Sequence, residues 1–387
     1  MSTMGTRRIL RWAPVAALAI WLALGGVPSG RAAEDSAGFL QVTGPCGLEF
    51  PRDHGPHPGF RTEWWYYTGN LVTETGRRFG FQLTFFRHQL TPFGASADWP
   101  EPHSAWRTRQ IYLAHVAVSD LSGKRHLQAE QAAREALGMA GWVQDGDEMK
   151  VFVREWSAVI RPERQRLEVS ADGFSLQLDL TPAKPPVKHG VDGYSRKGST
   201  PERASCYYSM PRLETTGTVT LADRQPIAVK GVSWMDHEFS TAPLEPGTVG
   251  WDWFSIQLSD RSEFMLYLLR HEDGSIDPAS SGTYIDPLGV PRHLERGRFE
   301  IDVLDSWRSK RSGAVYPSTW RIKIPLAGVD VVATSNLADQ EMHPADVTGI
   351  TYWEGSVAAR GTKGDGATEG QGYVELTGYA APLEALK

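Results

Sequence analysis

Asp236, His237 and Glu238 stand side by side in GVSWMDHEFS, between two apolar runs. Carboxylates are rarely set among apolar residues without a partner or a task. Side chains alternate in extended chain, so Asp236 and Glu238 share one face and His237 takes the other. A carboxyl kept protonated by burial can donate a proton, and an imidazole can position or deprotonate water. The trio therefore offers general acid–base chemistry; the competing reading is a hydrogen-bonded structural network at a strand end.

The elements that must hold these residues are short strands. A Pro/Gly-rich turn (Pro243, Pro246, Gly247, Gly250) leads from the trio into an aromatic strand with Trp251, Trp253 and Phe254. A second strand follows from Phe264 to Leu269 and carries Tyr267. Earlier, EWWYYTGNL, the turn ETGR and FGFQLTFFR form a hairpin by their alternation, bringing in Glu63, Trp65 and Arg87. A Trp doublet opens both hairpins and an apolar run ending in Arg closes both, which indicates an internal duplication of a β domain. His115 lies among apolar neighbours in IYLAHVAVSDL, a further strand.

Other stretches have plainer readings. Residues 99–109 read as a loop and residues 128–141 (QAEQAAREALGMAG) as the one good helix. Residues 361–372 hold five glycines and read as a flexible loop. His54 and His57 in DHGPHPG lie three apart, but no helix holds them and no nearby carboxylate pattern completes a metal site. They read as solvated loop residues, and neither a metal nor a cofactor is expected. Short strands with tight turns over residues 60–235 indicate antiparallel sandwiches or barrels rather than βαβ units. An antiparallel barrel of this size has room for one small ligand inside.

At 387 residues the chain suits two domains, and its net charge of -6 without a basic run excludes nucleic acid as the main partner. Residues 1–33 read as a signal peptide: Arg7, Arg8 and Arg11, an apolar stretch from Ala13 to Leu24, then the small-residue exit Gly30-Arg31-Ala32-Ala33. An exported protein, periplasmic or secreted, is expected. Cys46 and Cys206 are the two cysteines, and they read either as a bridge formed in an oxidising compartment or as two buried thiols.

The segments HPGFRTEWWYYTGNL, GFQLTFFR, GVSWMDHEFS, WDWFSIQL and GYVELTGY together resemble the AttH-like/carotenoid 1,2-hydratase family. That resemblance covers nearly the whole chain beyond residue 33. It implies an all-β fold of two consecutive lipocalin-like antiparallel barrels with few short helices, at residues 45–240 and 241–387. It also implies an apolar small-molecule partner: an isoprenoid, a carotenoid precursor or a lipid; a bulky ligand of that kind would permit peripheral membrane association, on which the sequence itself is silent. By the family pattern His237, Phe239 (where Trp is usual) and Tyr267 are site residues, and Leu268 stands where hydratases carry Asp. Asp236 or Glu238 would then be the acid and His237 the water-positioning base. Trp251, Trp253 and Tyr267 would wall the carbocation. Glu63, Trp65, Arg87 and His115 are further ligand-binding candidates, the first three on the interdomain side of the pocket. The rival reading is a non-catalytic carrier. A serine hydrolase is excluded by the lack of a Gly-x-Ser-x-Gly elbow.

Overall fold

A computed structural model describes residues 34–92, 104–222, 225–242, 244–343 and 349–383. Residues 1–33, where a signal peptide is expected, Trp99 and Pro243 lie outside the described residues. No helix among the described residues is long and apolar enough to cross a membrane.

The alternating apolar pattern of the sequence becomes two antiparallel sheets. The first begins with β1 (Thr62–Val72), β2 (Arg78–Gln89), β3 (Gln110–Asp120) and β4 (Arg125–Arg134). It continues through β5 (Ala140–Asp145), β6 (Glu148–Val153), β7 (Trp156–Ile160), β8 (Gln165–Ala171) and β9 (Phe174–Pro182). The short β10 (Val187–Lys188) and β11 (Tyr194–Arg196) precede the long β12 (Ala204–Leu221) and β13 (Ile227–Ser240). The second sheet holds β14 (Thr248–Leu258), β15 (Glu263–His271), β16 (Ser281–Ile285), β17 (Pro291–Glu295) and β18 (Glu300–Arg308). It ends with β19 (Val315–Ile324), β20 (Val329–Ser335), β21 (Glu341–Met342), β22 (Tyr352–Lys363) and β23 (Gly366–Leu376).

Both sheets share one ordering rule. β1 lies between β2 and the last strand of its sheet, β13; β14 lies between β15 and its last strand, β23. In the first sheet β3 and β4 come round against β5 and β6, so the sheet curls into a barrel. The two barrels are of the lipocalin-like kind. Their interiors are filled by side chains such as Trp65, Phe81 and Trp156 in one and Phe254, Trp320 and Trp353 in the other. The room for a ligand expected inside a barrel is taken up by these rings.

Outward-facing residues of β1, β12 and β13 pack against those of β14, β15 and β23. They form a third apolar cluster around Tyr66, Tyr207, Trp234, Trp253, Tyr267 and Tyr373. Polar clamps flank it: Glu263 is buried and takes Lys184 Nζ at 2.6 Å and Arg212 Nε at 2.5 Å. Among the described residues, helix is confined to single 3-10 turns such as Arg52–His54.

Two expectations from sequence are overturned. The helix expected at residues 128–141 is instead most of β4 and the start of β5. β4 pairs with β3 from Ile111↔Arg134 to Asp120↔Arg125. Leu127, Ala129 and Ala133 pack on the first core while Gln128 Nε2 donates to the Glu341 carbonyl across the junction, 3.0 Å. Demands on both faces of the strand override the helical propensity of Ala and Glu. The flexible loop expected at residues 361–372 is the hairpin of β22 and β23. A Cβ on Gly361 would lie 2.1 Å from the Asp330 carbonyl oxygen, and one on Gly372 would lie 1.9 Å from that of Ser255. Those glycines permit close approach of neighbouring strands rather than mobility.

Cys46 and Cys206 are joined in a disulfide across 160 residues, which ties the lead-in segment to β12. Cys46→Ala/Cys206→Ala should lose about 2–5 kcal/mol of unfolding free energy. Urea titration with and without reductant measures it, and a variant as stable as the oxidised parent would show that the lead-in is held by packing alone.

Candidate functional site

β13 carries the acidic trio, and its two faces lead to two different places. Its neighbours fix this by register: Trp65 pairs with His237, Tyr66 with Asp236 and Tyr208 with His237. Residues opposite one another share a face. Asp236 and Glu238 therefore join Tyr66 and Tyr207 on the junction side, and His237 joins Trp65 and Tyr208 inside the first barrel.

On the junction side Asp236 is buried. Tyr207 Oη and Trp234 Nε1 each donate to its carboxyl at 2.6 Å, and Ser209 Oγ does so as well. Trp253 Nε1 donates to Tyr207 Oη from the opposite sheet, 3.0 Å. Burial pushes the Asp236 pKa up to about 7, outweighing the hydrogen bonds that favour the carboxylate, and the charge of Glu238 adds to the rise. Glu238 pairs with Lys197 Nζ at 3.2 Å. That ammonium lies 4.0 Å from the ring centroid of Tyr267 and 4.9 Å from that of Tyr207. Burial works against the Lys197 charge, but Glu238 and Tyr267 outweigh it and hold its pKa above the usual value.

Two further carboxyls face Asp236 from the second sheet. Glu354 and Glu375 are cross-strand partners on β22 and β23. Burial foremost, with Asp236 and Glu238 adding, pushes Glu375 up to about 7 despite the Trp251 Nε1 donor at 2.8 Å. Burial and the neighbouring Glu375 hold Glu354 well above the carboxylate range. The buried Tyr66 Oη and Glu354 lie close enough to interact with each other, and neither Tyr66 Oη nor Glu354 Oε1 makes a hydrogen bond to any other group among the described residues. Trp251 and Trp253 flank this acidic patch, and His115 Nδ1 meets Tyr352 Oη at its edge, 2.9 Å. A relay leads outward: Ser209 Oγ lies 2.5 Å from His189 Nε2, whose Nδ1 lies 2.8 Å from Thr283 Oγ1. Thr283 lines an open groove of about 500 Å³ with Pro186, Lys188 and His293.

Inside the first barrel the arrangement is an ion-pair network. Glu63 is fully buried, and its Oε2 accepts from Arg87 Nε at 2.8 Å. Its Oε1 meets His57 Nδ1 and His237 Nε2, each at 2.8 Å. Burial alone would raise the Glu63 pKa; Arg87 and the two imidazoles outweigh it and hold the carboxylate well below its usual range. Burial lowers the His237 pKa against the pull of Glu63, leaving a neutral imidazole stacked on Trp65. Phe239 stacks on His57 at 3.6 Å between centroids.

The residues singled out in sequence thus fall into two groups. Asp236, Glu238, Tyr267, Trp251, Trp253 and His115 meet at the junction. His237, Phe239, Glu63, Trp65 and Arg87 meet inside the first barrel, so Glu63, Trp65 and Arg87 are not on the interdomain side. His54 and His57 are not solvated loop residues: His54 Nδ1 lies 2.7 Å from Tyr208 Oη, and His57 is held by Glu63 and Asp53. Tyr66, Tyr207, Lys197, Glu354 and Glu375 were not singled out. Glu354 and Glu375 gave the signal that marked the trio, a carboxylate inside an apolar strand (YWEGSV and GYVELTGY).

Two lipocalin-like barrels packed outer face to outer face, with buried carboxyls and aromatic rings at the junction, define a class of two-barrel proteins. The AttH-like family model matches residues 41–379, and the chain belongs to that family. An AttH protein of Nitrosomonas europaea is 34% identical, with a TM-score of 0.77 over 88% of this chain and all of that one. Kievitone hydratase from Nectria haematococca shares the fold at 14% identity and a TM-score of 0.63, over 90% of this chain and 98% of its own. CghA with Sch210972 does so at 12% identity and a TM-score of 0.51, again over 90% and 98%. No curated protein matches the sequence.

Proposed function

We propose that the protein is an exported hydratase that adds water to a carbon–carbon double bond of an apolar isoprenoid or lipid-like molecule at the junction of the barrels. One observation carries this reading: Asp236 has a pKa near 7 within a shell of Trp and Tyr rings. A buried carboxylic acid of that kind is a proton donor at neutral pH. Transfer of its proton to one alkene carbon leaves a carbocation on the other, which faces Trp251, Trp253 and Tyr207 and is stabilised by their π faces. Water adds to the cation, and the resulting oxonium returns a proton to the carboxylates of the junction. No redox partner is required. Tyr66 Oη and Glu354, which lie close enough to interact with each other, are the polar pair placed to hold that water or the product hydroxyl. The likeness to kievitone hydratase supports the reaction class, and the match over residues 41–379 supports a small-molecule role.

His237 is not the water-positioning base in this scheme, because it points away from Asp236 across the strand. That divergence is also what favours the second reading, a carrier of the same ligand without chemistry. Native mass spectrometry of protein purified from its own host, with an organic extract, identifies the ligand; incubation in heavy-oxygen water then tests hydration. Label should enter the product, and Asp236→Asn should slow it by about 10²–10⁴-fold while ligand still binds. Bound but unlabelled ligand would leave the carrier. N-terminal sequencing of the exported protein should begin just after residue 33, and flotation with vesicles tests peripheral membrane association.

A further inference from the structure

The inner face of β13 offers a second site, unrelated to the acid at the junction. Among the described residues, His57, Glu63 and His237 are the group whose donor atoms all lie within 4.8 Å of one another. Two imidazole nitrogens, His57 Nδ1 and His237 Nε2, converge on the single oxygen Glu63 Oε1. We propose that these three residues form a two-histidine, one-carboxylate site for a divalent transition ion of the zinc class.

The supporting groups are those that a metal centre needs. A ligating imidazole keeps its orientation when its other nitrogen is held by a carboxylate or another polar group. His57 Nε2 lies 3.4 Å from Asp53 Oδ1, and His237 Nδ1 lies 3.1 Å from Tyr208 Oη. Tyr208 Oη in turn meets His54 Nδ1, so the chain His237–Tyr208–His54 can reverse its hydrogen bonds when Nε2 of His237 gives up its proton to bind an ion. Arg87 Nε and the His57 backbone N–H hold Glu63 Oε2 at 2.8 and 2.9 Å, so an ion would take Oε1 monodentately, beside the longer 3.1 Å contact of that N–H. The rings of Phe239 and Trp65 fix the two imidazoles in place.

Charge points the same way. Asp53 and Glu63 carry two negative charges against one on the buried Arg87; the other guanidinium, Arg52, is largely exposed. A divalent cation would balance that surplus. Two imidazoles and a carboxylate suit zinc and its neighbours better than calcium or magnesium, which take oxygen ligands. His57 is the partly exposed member, with 17% of its side chain accessible, and marks the route of entry.

The test uses tag-free protein stripped with chelator, then titrated with Zn²⁺ by calorimetry and with Co²⁺ by visible spectroscopy. One ion per chain should bind, with a raised Tm and the visible d–d bands of Co²⁺ in low coordination. His57→Gln should weaken binding by more than the about 10- to 100-fold expected of Asp53→Asn, the supporting residue. His57 is the ligand least buried, so its variant keeps the fold, and a Co²⁺ spectrum of the parent protein does not depend on any variant. Absence of a one-to-one complex, or one that His57→Gln and Asp53→Asn both leave unchanged, would overturn the assignment.

Discussion

Arg87→Met should destabilise the protein by about 3–5 kcal/mol, the cost of leaving a buried charge without its partner. Arg87 is fully buried and holds four acceptors: Glu63 Oε2 and Gln89 Oε1 through its side chain partners, and the carbonyls of His57 and Phe60. Methionine fills much of the volume, so lost packing is the smaller part of the effect. The larger part is Glu63, left with two imidazoles and no guanidinium. Arg87→Met/Glu63→Gln removes both charges and should recover most of the loss, because the penalty lies in the unpaired ion rather than in the missing bond. Equilibrium urea unfolding of the three proteins measures this. A single variant within about 1 kcal/mol of the parent would mean that Glu63 gains water or a proton on its own, as a surface pair would allow.

The junction should make stability fall as pH rises, opposite to the usual behaviour of paired carboxylates. Asp236 and Glu375 have folded-state pKa values near 7, raised above the unfolded values near 4 chiefly by burial. A raised acid binds its proton more tightly when folded, so its contribution is complete below the unfolded pKa and is lost as pH climbs through the folded one. The window runs from about 4 to about 7. For Asp236 the upward displacement from 3.8 to about 7 corresponds to on the order of 4 kcal/mol. Asp236→Asn imitates the protonated acid; it should exceed the parent by only about 1 kcal/mol near pH 4.5 and by on the order of 4 kcal/mol at pH 8. Glu63, whose pKa is depressed, acts in the opposite sense and withdraws its support as the solution becomes strongly acidic. The parent should therefore be most stable on the acid side of neutrality. Urea unfolding at pH 4.5, 6 and 8 tests this, and identical profiles for parent and Asp236→Asn would mean that Asp236 is ionised throughout.

How much of this was legible beforehand follows from what kind of signal each residue gives. Alternation alone separates Asp236 and Glu238 from His237, and the β1–β2 turn is short enough to set Glu63 opposite Arg87. The two-barrel fold was legible in the run of short strands and the paired hairpins. Partners supplied by connecting segments were not: Lys197 comes from the turn after β11 and His57 from the lead-in to β1, and neither stretch has a periodicity that fixes its position. Residues 128–141 were misread because Ala, Glu and Leu favour helix when nothing else is counted, whereas β4 answers to β3 and to the second sheet. Glycines gave the opposite error, since between Gly361 and Gly372 they mark contact rather than slack.

β13 is a wall shared by two rooms. Met235, His237 and Phe239 look into the first barrel, while Trp234, Asp236 and Glu238 look toward the second sheet. Its tolerance to changes in length should therefore be uneven along the chain. One residue added within β13 turns every side chain beyond it to the wrong room, placing carboxylates in the aromatic interior and an imidazole in the acidic junction at a single stroke. The exposed turn at Glu74 and Thr75, beyond the paired stretch of β1, can lengthen without that exchange. Lineages of this fold should accordingly vary in length at such turns and keep the spacing between the two networks constant to the residue.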